Sequence, residues 1–229
     1  MQQTSHAFLQ SFGRRRGRKL RANREELVES LLPKLLIRLP DGTLDPATLF
    51  IKPKNPLWFE IGFGGGEHLV EQARRNPQCN FLGCEPYING VAKLLSAIDK
   101  DKLDNIRLYD GDARLLLERL PDASIERMFI LFPDPWPKAR HHKRRIISQT
   151  TLTLLHKKII AGGMLRLATD HVEYGAWMLE QLQAFKKFSW MARNAEDWNE
   201  APADWVVTRY QQKAAGEGRN PLFLNYLRD

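Results

Sequence analysis

Short apolar runs alternate with helical patterns along the middle of the chain, and this alternation is its main structural signal. The apolar runs predict strands over 57–61, 80–84, 105–109, 128–132 and 164–168. Helical spacing follows each of them, over 67–75, 88–98, 113–120, 146–160 and 172–185, and residues 222–227 predict a closing strand. The fourth helix is predicted to end at Gly162 and Gly163. Such alternation is typical of an α/β fold, a mostly parallel sheet covered by helices on both faces.

The first 56 residues carry weaker signals. Residues 1–24 lack a hydrophobic period, which predicts a disordered arm in front of a single domain over 25–229. A short helix is predicted over 24–37, interrupted near Pro33. The proline-rich stretch 40–56 is predicted to be a loop that leads into the first strand.

Length and composition limit the possible classes of protein. A chain of 229 residues with 43% hydrophobic content is large enough for one sizeable core. It contains no apolar stretch near the roughly 20 residues of a membrane span, and its start lacks the pattern of a secretory signal. The spacing of Cys79 and Cys84 fits neither a redox pair nor a zinc site. These features predict a cytoplasmic protein with two reduced thiols.

Positive charge is concentrated in two short blocks. The net charge is +8, yet residues 1–24 carry seven basic residues and no acid, and residues 138–145 carry five basic residues and no acid. The remaining residues are therefore mildly acidic as a group. Two separate basic blocks on such a body predict a polyanionic partner, and RNA is the partner that we expect.

A glycine-rich loop over 60–66 follows the first predicted strand and opens a helix, where doubly wound folds bind nucleotides. Gly62 and Gly64 let the backbone approach a ligand closely. The third glycine of the dinucleotide pattern is absent, because Glu67 occupies its place. The carboxylate of Glu60 would repel a pyrophosphate but suits the sulfonium and ammonium groups of S-adenosylmethionine, directly or through water.

Two further acids follow the second and third predicted strands. Glu85 lies about 20 residues beyond the glycine loop, a position where an acid commonly accepts from ribose hydroxyls. Asp112 follows the third strand, and two interpretations of it remain open. In one interpretation its carboxylate accepts a hydrogen bond from the amino group of an adenine, and in the other it caps the next helix. The two roles are compatible.

The loop over 132–138 combines three prolines with an acid and a tryptophan. A rigid pair of Asp134 and Trp136 suits a nucleobase, since the ring can stack while the carboxylate accepts from base N–H groups. The basic residues that follow are well placed for RNA phosphates. His141 and His142 are interpreted as polar groups that face RNA, because no carboxylate or histidine cluster at ligand spacing supports a metal site.

Together these stretches resemble the bacterial tRNA (guanine-N7-)-methyltransferases of the TrmB type. The resemblance covers about residues 55–229 and rests on 60–64, 83–85, 111–113, 132–145, 168–170 and 208–210. The long stretch 132–145 is its most specific part. The family usually has a glutamate where this chain has Gln211, which puts an ionic role at that position in doubt.

The resemblance implies a class I S-adenosylmethionine-dependent methyltransferase, Rossmann-like with a seven-stranded sheet, that methylates N7 of guanine 46 in the tRNA variable loop. It implies that Asp134 is catalytic. Cofactor contacts are expected at Glu60, Gly62, Gly64, Glu85, Asp112 and Asp134, and substrate contacts at Lys138, Asp170, Thr208, Arg209, Tyr210 and Gln211. RNA contacts are expected at Arg140, His141, His142, Lys143, Arg144 and Arg145.

Two other hypotheses remain open at this stage. Asp134-Pro135-Trp136 is related to the motif of enzymes that methylate exocyclic amino groups of adenine or cytosine, although the usual second proline and aromatic residue are absent. Alternatively, the chain is an RNA-binding scaffold that has lost catalysis, which the intact acids argue against. The sequence leaves the oligomeric state open between a monomer and a homodimer.

Overall fold

Seven strands form one sheet in the computed structural model, which describes residues 13–229. The strands are β1 Leu57–Ile61, β2 Asn80–Cys84, β3 Ile106–Tyr109, β4 Ile125–Leu131, β5 Ile159–Thr169, β6 Phe188–Trp190 and β7 Leu222–Arg228. Their order is β3-β2-β1-β4-β5-β7-β6, with β1 to β5 parallel and β7 antiparallel to both of its neighbours. The predicted mostly parallel, seven-stranded sheet is confirmed.

Helices cover both faces of the sheet. They are α1 Ala22–Ser30, α2 Leu32–Leu35, α3 Glu67–Arg75, α4 Ile88–Asp101, α5 Ala113–Arg119, α6 Gln149–Lys158, α7 Val172–Phe185, α8 Glu196–Asn199 and α9 Arg209–Gly216. Helices α2, α3 and α4 bury apolar side chains on one face, and α5, α6 and α7 do so on the other. Strand β1 shows why helices cover both faces of the sheet. Phe59 and Trp58 point into opposite cores, and all five residues of the strand are buried.

The boundary between α6 and β5 differs from the prediction. The helix begins after Ser148, whose side chain accepts from the Thr151 amide, and ends at Lys158. Gly162 and Gly163 lie inside β5 and do not terminate the helix. The physical reason is an irregular register against β4: Ile125 pairs with Ile159, whereas Arg127, two residues further, pairs with Met164. Gly162, at φ +71°, accommodates the extra length of β5.

The region around the arm shows other differences. Helix α1 begins at Ala22, slightly before its predicted start, and a short 3₁₀ helix over Pro46–Leu49 lies within the predicted loop. Residues 13–21 form no helix or strand, and residues 1–12 lie outside the described part, so disorder of the arm stays a prediction.

None of the helices in the described part is long and apolar enough to span a membrane. Cys79 and Cys84 are buried and unbridged.

Candidate active site

A cleft of about 360 Å³ opens at the carboxyl ends of β1 to β4. Strand β1 has β2 on one side and β4 on the other, so the chain reverses its direction of winding at this point. Clefts at such switch points are where open α/β sheets bind ligands, and this volume lies in the range of small-molecule sites. Of the residues predicted to contact the cofactor, Gly62, Glu85, Asp112 and Asp134 line this cleft and Gly64 does not, and Tyr210 closes one side.

The glycine loop after β1 adopts a backbone that requires glycine. Gly62, Gly64 and Gly66 have φ values of +74°, +56° and +77°, in the left-handed region. The Gly62 amide donates to the carbonyl of Cys84 at 2.7 Å, which ties the loop to the end of β2. A Cβ atom on Gly90, in the first turn of α4, would overlap the carbonyl oxygen of Gly64. The shape of the loop therefore depends on a second glycine outside it.

We expect Gly90→Ala to weaken binding of the predicted cofactor by about tenfold or more, because the added methyl displaces the glycine loop. Inserting a methyl into a tight site typically costs about 1–3 kcal/mol. Calorimetry with S-adenosylmethionine measures the effect. The matched control is Gly42→Ala, where a Cβ meets no atom within 4 Å. Equal affinities of the two variants would show that the contact between Gly90 and Gly64 does not shape the site.

Glu85 holds the loop from the opposite wall. One carboxylate oxygen accepts from the Gly64 amide at 2.8 Å, and the other accepts from the Tyr87 amide at 2.9 Å. Burial raises the pKa of Glu85, the two amide donors oppose this, and the negative charge of Asp134 adds to the rise. Each oxygen keeps a second lone pair, so the carboxylate can still accept from ligand hydroxyls.

Asp112 is the N-cap of α5. Its carboxylate accepts from the Arg114 amide at 2.9 Å and pairs with the Arg114 guanidinium at 2.6 Å. The helix-cap interpretation is confirmed. A contact with an adenine amino group stays a prediction, which the position of Asp112 in the wall of the cleft permits.

Asp134 lies at the mouth of the cleft on the proline-rich loop. Within residues 13–229 its carboxylate accepts no hydrogen bond and makes no ion pair. Loss of hydration raises its pKa. Phe132 and Trp136, on either side of it, have φ values of +50° and +43°, which side chains with a Cβ rarely adopt. The fold thus holds an unpaired carboxylate on a strained segment, an arrangement typical of functional sites.

Glu60 lies beneath the glycine loop and not in the wall of the cleft. It is 3% exposed, and one of its oxygens is 2.7 Å from Nδ1 of His68, in α3. Nε2 of His68 has no partner in the described part of the chain. A contact between Glu60 and a ligand stays a prediction. The pairing with His68 has no signal in the sequence beyond the nearness of the two residues.

Helix α9 lies over the glycine loop and places two of the predicted substrate residues, Arg209 and Tyr210, against it. Thr208 caps the helix by accepting from the Gln211 amide, and a Cβ on Gly64 would touch the ring of Tyr210. Arg209 pairs with Glu67 at 2.7 Å. The side chain of Gln211 accepts from the indole N–H of Trp205 at 2.6 Å, so the amide makes a bond that a glutamate can also make.

Asp170, at the end of β5, is not in the wall of the cleft. Its carboxylate accepts from Arg219 at 2.8 Å. A role in substrate binding therefore stays a prediction. Among residues 13–229, no group of three His, Cys, Asp or Glu side chains is arranged to hold a metal ion.

The basic run forms a 3₁₀ helix over Ala139–Arg144 beside the cleft. The residues exposed to solvent are Lys138, Arg140 and Lys143. Arg144 lies over the ring of Trp136 at 4.9 Å, and the ring of His141 meets that of Trp136 edge-on at 5.8 Å. Loss of hydration and the charge of Arg144 lower the pKa of His141, which favours its neutral form. His142 lies 3.5 Å from Glu173, in α7.

Arg145 is expected to contact RNA, but it is 3% exposed and its guanidinium is held inside the protein. The Nε group donates to the carbonyl of Pro135 at 2.9 Å, and a terminal nitrogen donates to Glu173 at 3.0 Å. A guanidinium in this position is not accessible to an RNA phosphate.

The segment in front of α1 reaches the cleft, which sequence reasoning missed. The Ile88 amide donates to the carbonyl of Arg15, and the side chain of Asn89 bonds both the Gly17 amide at 2.9 Å and the Arg18 carbonyl at 2.7 Å. Gly13 and Arg14 consequently line the cleft. A lone asparagine at a helix start gives no sequence signal for a contact about 70 residues away.

Sequence comparisons agree with this geometry. A family model described as "Putative methyltransferase" matches residues 54–224. The tRNA (guanine-N(7)-)-methyltransferase of Rhodospirillum rubrum is 47% identical over 221 residues, which are 95% of this chain and 87% of that protein. The protein of the same name from Caulobacter vibrioides is 42% identical over 226 residues, 99% of this chain and 98% of that one.

Solved structures share the fold. An antibiotic-related methyltransferase has a TM-score of 0.55 and 13% identity, over 93% of this chain and 97% of that one. An rRNA methylase from Streptococcus thermophilus has a TM-score of 0.51 and 12% identity, over 80% of this chain and 90% of that one. Likeness at such low identity establishes the fold alone. The predicted class I methyltransferase fold is confirmed.

Proposed function

The chain belongs to the family of bacterial tRNA (guanine-N7-)-methyltransferases, and from this we propose that it methylates N7 of a guanine in tRNA with S-adenosylmethionine as methyl donor. One observation carries the proposal beyond family membership. Asp134 presents an unpaired carboxylate at the mouth of the cleft, on the same rigid loop as Trp136 and beside a basic surface. This arrangement suits a purine that enters from a polyanionic chain.

The residues of the cleft fit S-adenosylmethionine. Glycine backbone at Gly62 allows close approach, and the acids Glu85, Asp112 and Asp134 face the space. Carboxylates suit a cationic nucleoside that carries no phosphate. When bound, this cofactor supplies a methyl group that its sulfonium has already activated. Glu85 would hold the ribose hydroxyls, and Asp112 would hold the adenine amino group.

The main requirement that this reaction places on the protein is to align the guanine with the methyl group of the cofactor. N7 of guanine has an in-plane lone pair and no proton, so no side chain needs to act as a strong base before transfer. Positive charge develops on the guanine ring as N7 is alkylated. Asp134, fixed by its loop, would accept from the base edge and offset that charge. Asp170 is proposed to help in holding the base, since it follows β5, the neighbour of β4.

We further propose guanine 46, in the variable loop, as the target. The support is the resemblance of residues 55–229 to the TrmB type. The test is methylation of bulk tRNA by purified protein with labelled cofactor, followed by mapping of the modified nucleotide. A tRNA transcript with adenine in place of guanine 46 is the control and is expected to remain unlabelled.

Two results would contradict the proposal in different ways. Nucleoside mass spectrometry that finds N6-methyladenosine or N4-methylcytidine would favour an exocyclic-amino methyltransferase. Calorimetry that detects tRNA binding but no binding of S-adenosylmethionine would favour a scaffold without catalysis. Detection of N7-methylguanosine at another position of the tRNA would support the proposed activity and contradict only the assignment of guanine 46.

The arm is expected to act on tRNA affinity through its charge. Glutamine at Arg14, Arg15, Arg16, Arg18 and Lys19 should weaken binding and flatten its salt dependence, because fewer counterions are released. Each lost phosphate contact should reduce the slope of log K against log salt by about 0.7–0.9. The backbone contacts of Asn89 are retained in this variant, so the segment can stay in place. Binding titrations at several salt concentrations measure the slope.

The control for the arm variant is a second variant, in which glutamine replaces five lysines at the opposite end of the sheet. They are Lys52, Lys54, Lys100, Lys102 and Lys157, all exposed. The control has the same net charge as the arm variant, so a change in slope shared by both would reflect total charge. An unchanged slope in the arm variant would show that the arm does not contact phosphates.

A further inference from the structure

One cation of the basic run differs from its neighbours. Arg140 and Lys143 face solvent, whereas the side chain of Arg145 is 1% exposed. Its guanidinium lies between the rings of Tyr174 and Trp177, at 5.1 and 4.9 Å. Burying a charge is costly unless it is paired and hydrogen-bonded, so a buried arginine requires specific partners.

The partners of Arg145 belong to two different parts of the site. The carbonyl of Pro135, which accepts from Nε, follows Asp134 directly in the chain. The carboxylate of Glu173, which accepts from a terminal nitrogen, lies in the first turn of α7. Helix α7 begins two residues after Asp170. One planar guanidinium thus joins the loop of Asp134 to the element that follows Asp170.

The loop needs such a restraint. Phe132 and Trp136 hold left-handed φ values, and conformations of this kind persist only where the surroundings fix them. The Phe132 amide donates to the carbonyl of Ala168 at 2.7 Å, which fixes the start of the loop to β5. The bond from Arg145 to Pro135 fixes the segment just after Asp134. Without it the second half of the loop loses this anchor.

We propose that Arg145 is a positioning residue, which sets the place of Asp134 relative to the start of α7 and does not bind tRNA phosphate. The proposal rests on the proposed function, in which Asp134 acts on the guanine. A lysine cannot replace this arginine, because an ammonium lacks the planar fork that reaches Pro135 and Glu173 together and that stacks between two rings.

The experiment compares R145K and R145Q with R140Q, which removes an exposed cation of the same run. Steady-state kinetics with tRNA give kcat and KM, and binding titrations at several salt concentrations give the salt slope. We expect both Arg145 variants to lower kcat about 100-fold, the loss that a misplacement of about 1 Å can cause. Their affinity for tRNA and their salt slope should stay within about twofold of wild type. R140Q should raise KM, flatten the salt slope and retain kcat.

Hydrogen exchange tests the positioning without using activity. The amides of Phe132, Asp134, Trp136 and Lys138, the four residues of the stretch 132–138 that carry an amide hydrogen, should exchange faster in R145Q than in wild type and at the wild-type rate in R140Q. Unchanged exchange of this segment in R145Q would overturn the proposal whether or not the protein methylates tRNA. If wild-type protein gave no methyl transfer, the proposed function would fail, and the exchange result would still decide the role of Arg145.

A milder variant guards against loss of the fold. E173Q leaves the guanidinium and its bond to Pro135 in place and removes only the charge of its second partner. We expect kcat to fall by about three- to tenfold with an unchanged salt slope. Wild-type kcat in E173Q, recovery of kcat in R145K, or a flattened slope in R145Q like that of R140Q would each overturn the proposal.

Discussion

Asp134→Ala is expected to lower the rate of methyl transfer to tRNA by about 10²–10³-fold, the usual loss when one preorganised electrostatic group is removed from an active site. The carboxylate lies at the mouth of the cleft and accepts no hydrogen bond within residues 13–229, so its loss leaves no described donor unpaired. The melting temperature should therefore remain near that of wild type. Single-turnover assays with saturating tRNA and cofactor measure the chemical step.

Asp110→Ala is the matched control, since Asp110 is exposed near the cleft but not in its wall. It removes the same charge from the same region and should retain near wild-type turnover. Near wild-type turnover in Asp134→Ala would reject the catalytic assignment. Equal losses in both variants would show that net charge around the cleft, and not the position of Asp134, supports the reaction.

The pKa of Asp134 gives this assignment a pH dependence. Loss of hydration raises the pKa above its ordinary value of 3.8, so the acid limb of the rate profile should lie above that pH. A carboxyl whose pKa is raised in the folded state binds its proton more tightly there than in the unfolded chain. The ionised group therefore disfavours folding at neutral pH, and Asp134→Asn should not lower the melting temperature there.

The sheet was predictable because its central strands β1 and β2 are buried along their whole length, so each is a short, mostly apolar run. In β1, for example, Trp58 and Phe59 enter opposite cores, and such a run has few alternatives to a central strand. The boundary at 159–163 was not predictable, since Gly162 signals a helix end and a strand irregularity equally well. Helix α9 had an overlooked signal: Thr208 and Gln211 have the spacing of a capping box.

The acids of the site were predictable because each one follows a strand whose end meets the same edge of the sheet. Charge alone does not separate Arg145 from Arg144, although one is buried and the other faces the cleft. That difference depends on tertiary contacts with α7, which lies about 30 residues further along the chain. The same limit applies to the contact between Asn89 and the segment of Gly17.

Glu85→Gln is expected to weaken binding of S-adenosylmethionine by about 10- to 100-fold. A glutamine has one acceptor oxygen in place of two, so it cannot accept from both the Gly64 and the Tyr87 amides. The proposed bonds to ribose hydroxyls would also lose the charge of their acceptor, and hydrogen bonds to charged groups contribute about 1.5–3 kcal/mol each. Calorimetry of the cofactor with the protein alone measures the affinity without involving tRNA.

The pH dependence of the same titration separates Glu85 from a merely structural residue. Burial raises the pKa of Glu85 above its ordinary value of 4.5, and only the ionised form accepts at both oxygens. Affinity for the cofactor should therefore fall as the pH is lowered towards the raised pKa of this carboxyl in wild type, and Glu85→Gln should remove most of that dependence. Glu118→Gln makes the same chemical change at an exposed position of α5 and should keep both the wild-type affinity and its pH dependence. Wild-type affinity in Glu85→Gln would mean that neither the loop contact nor the ribose contact of Glu85 contributes to binding.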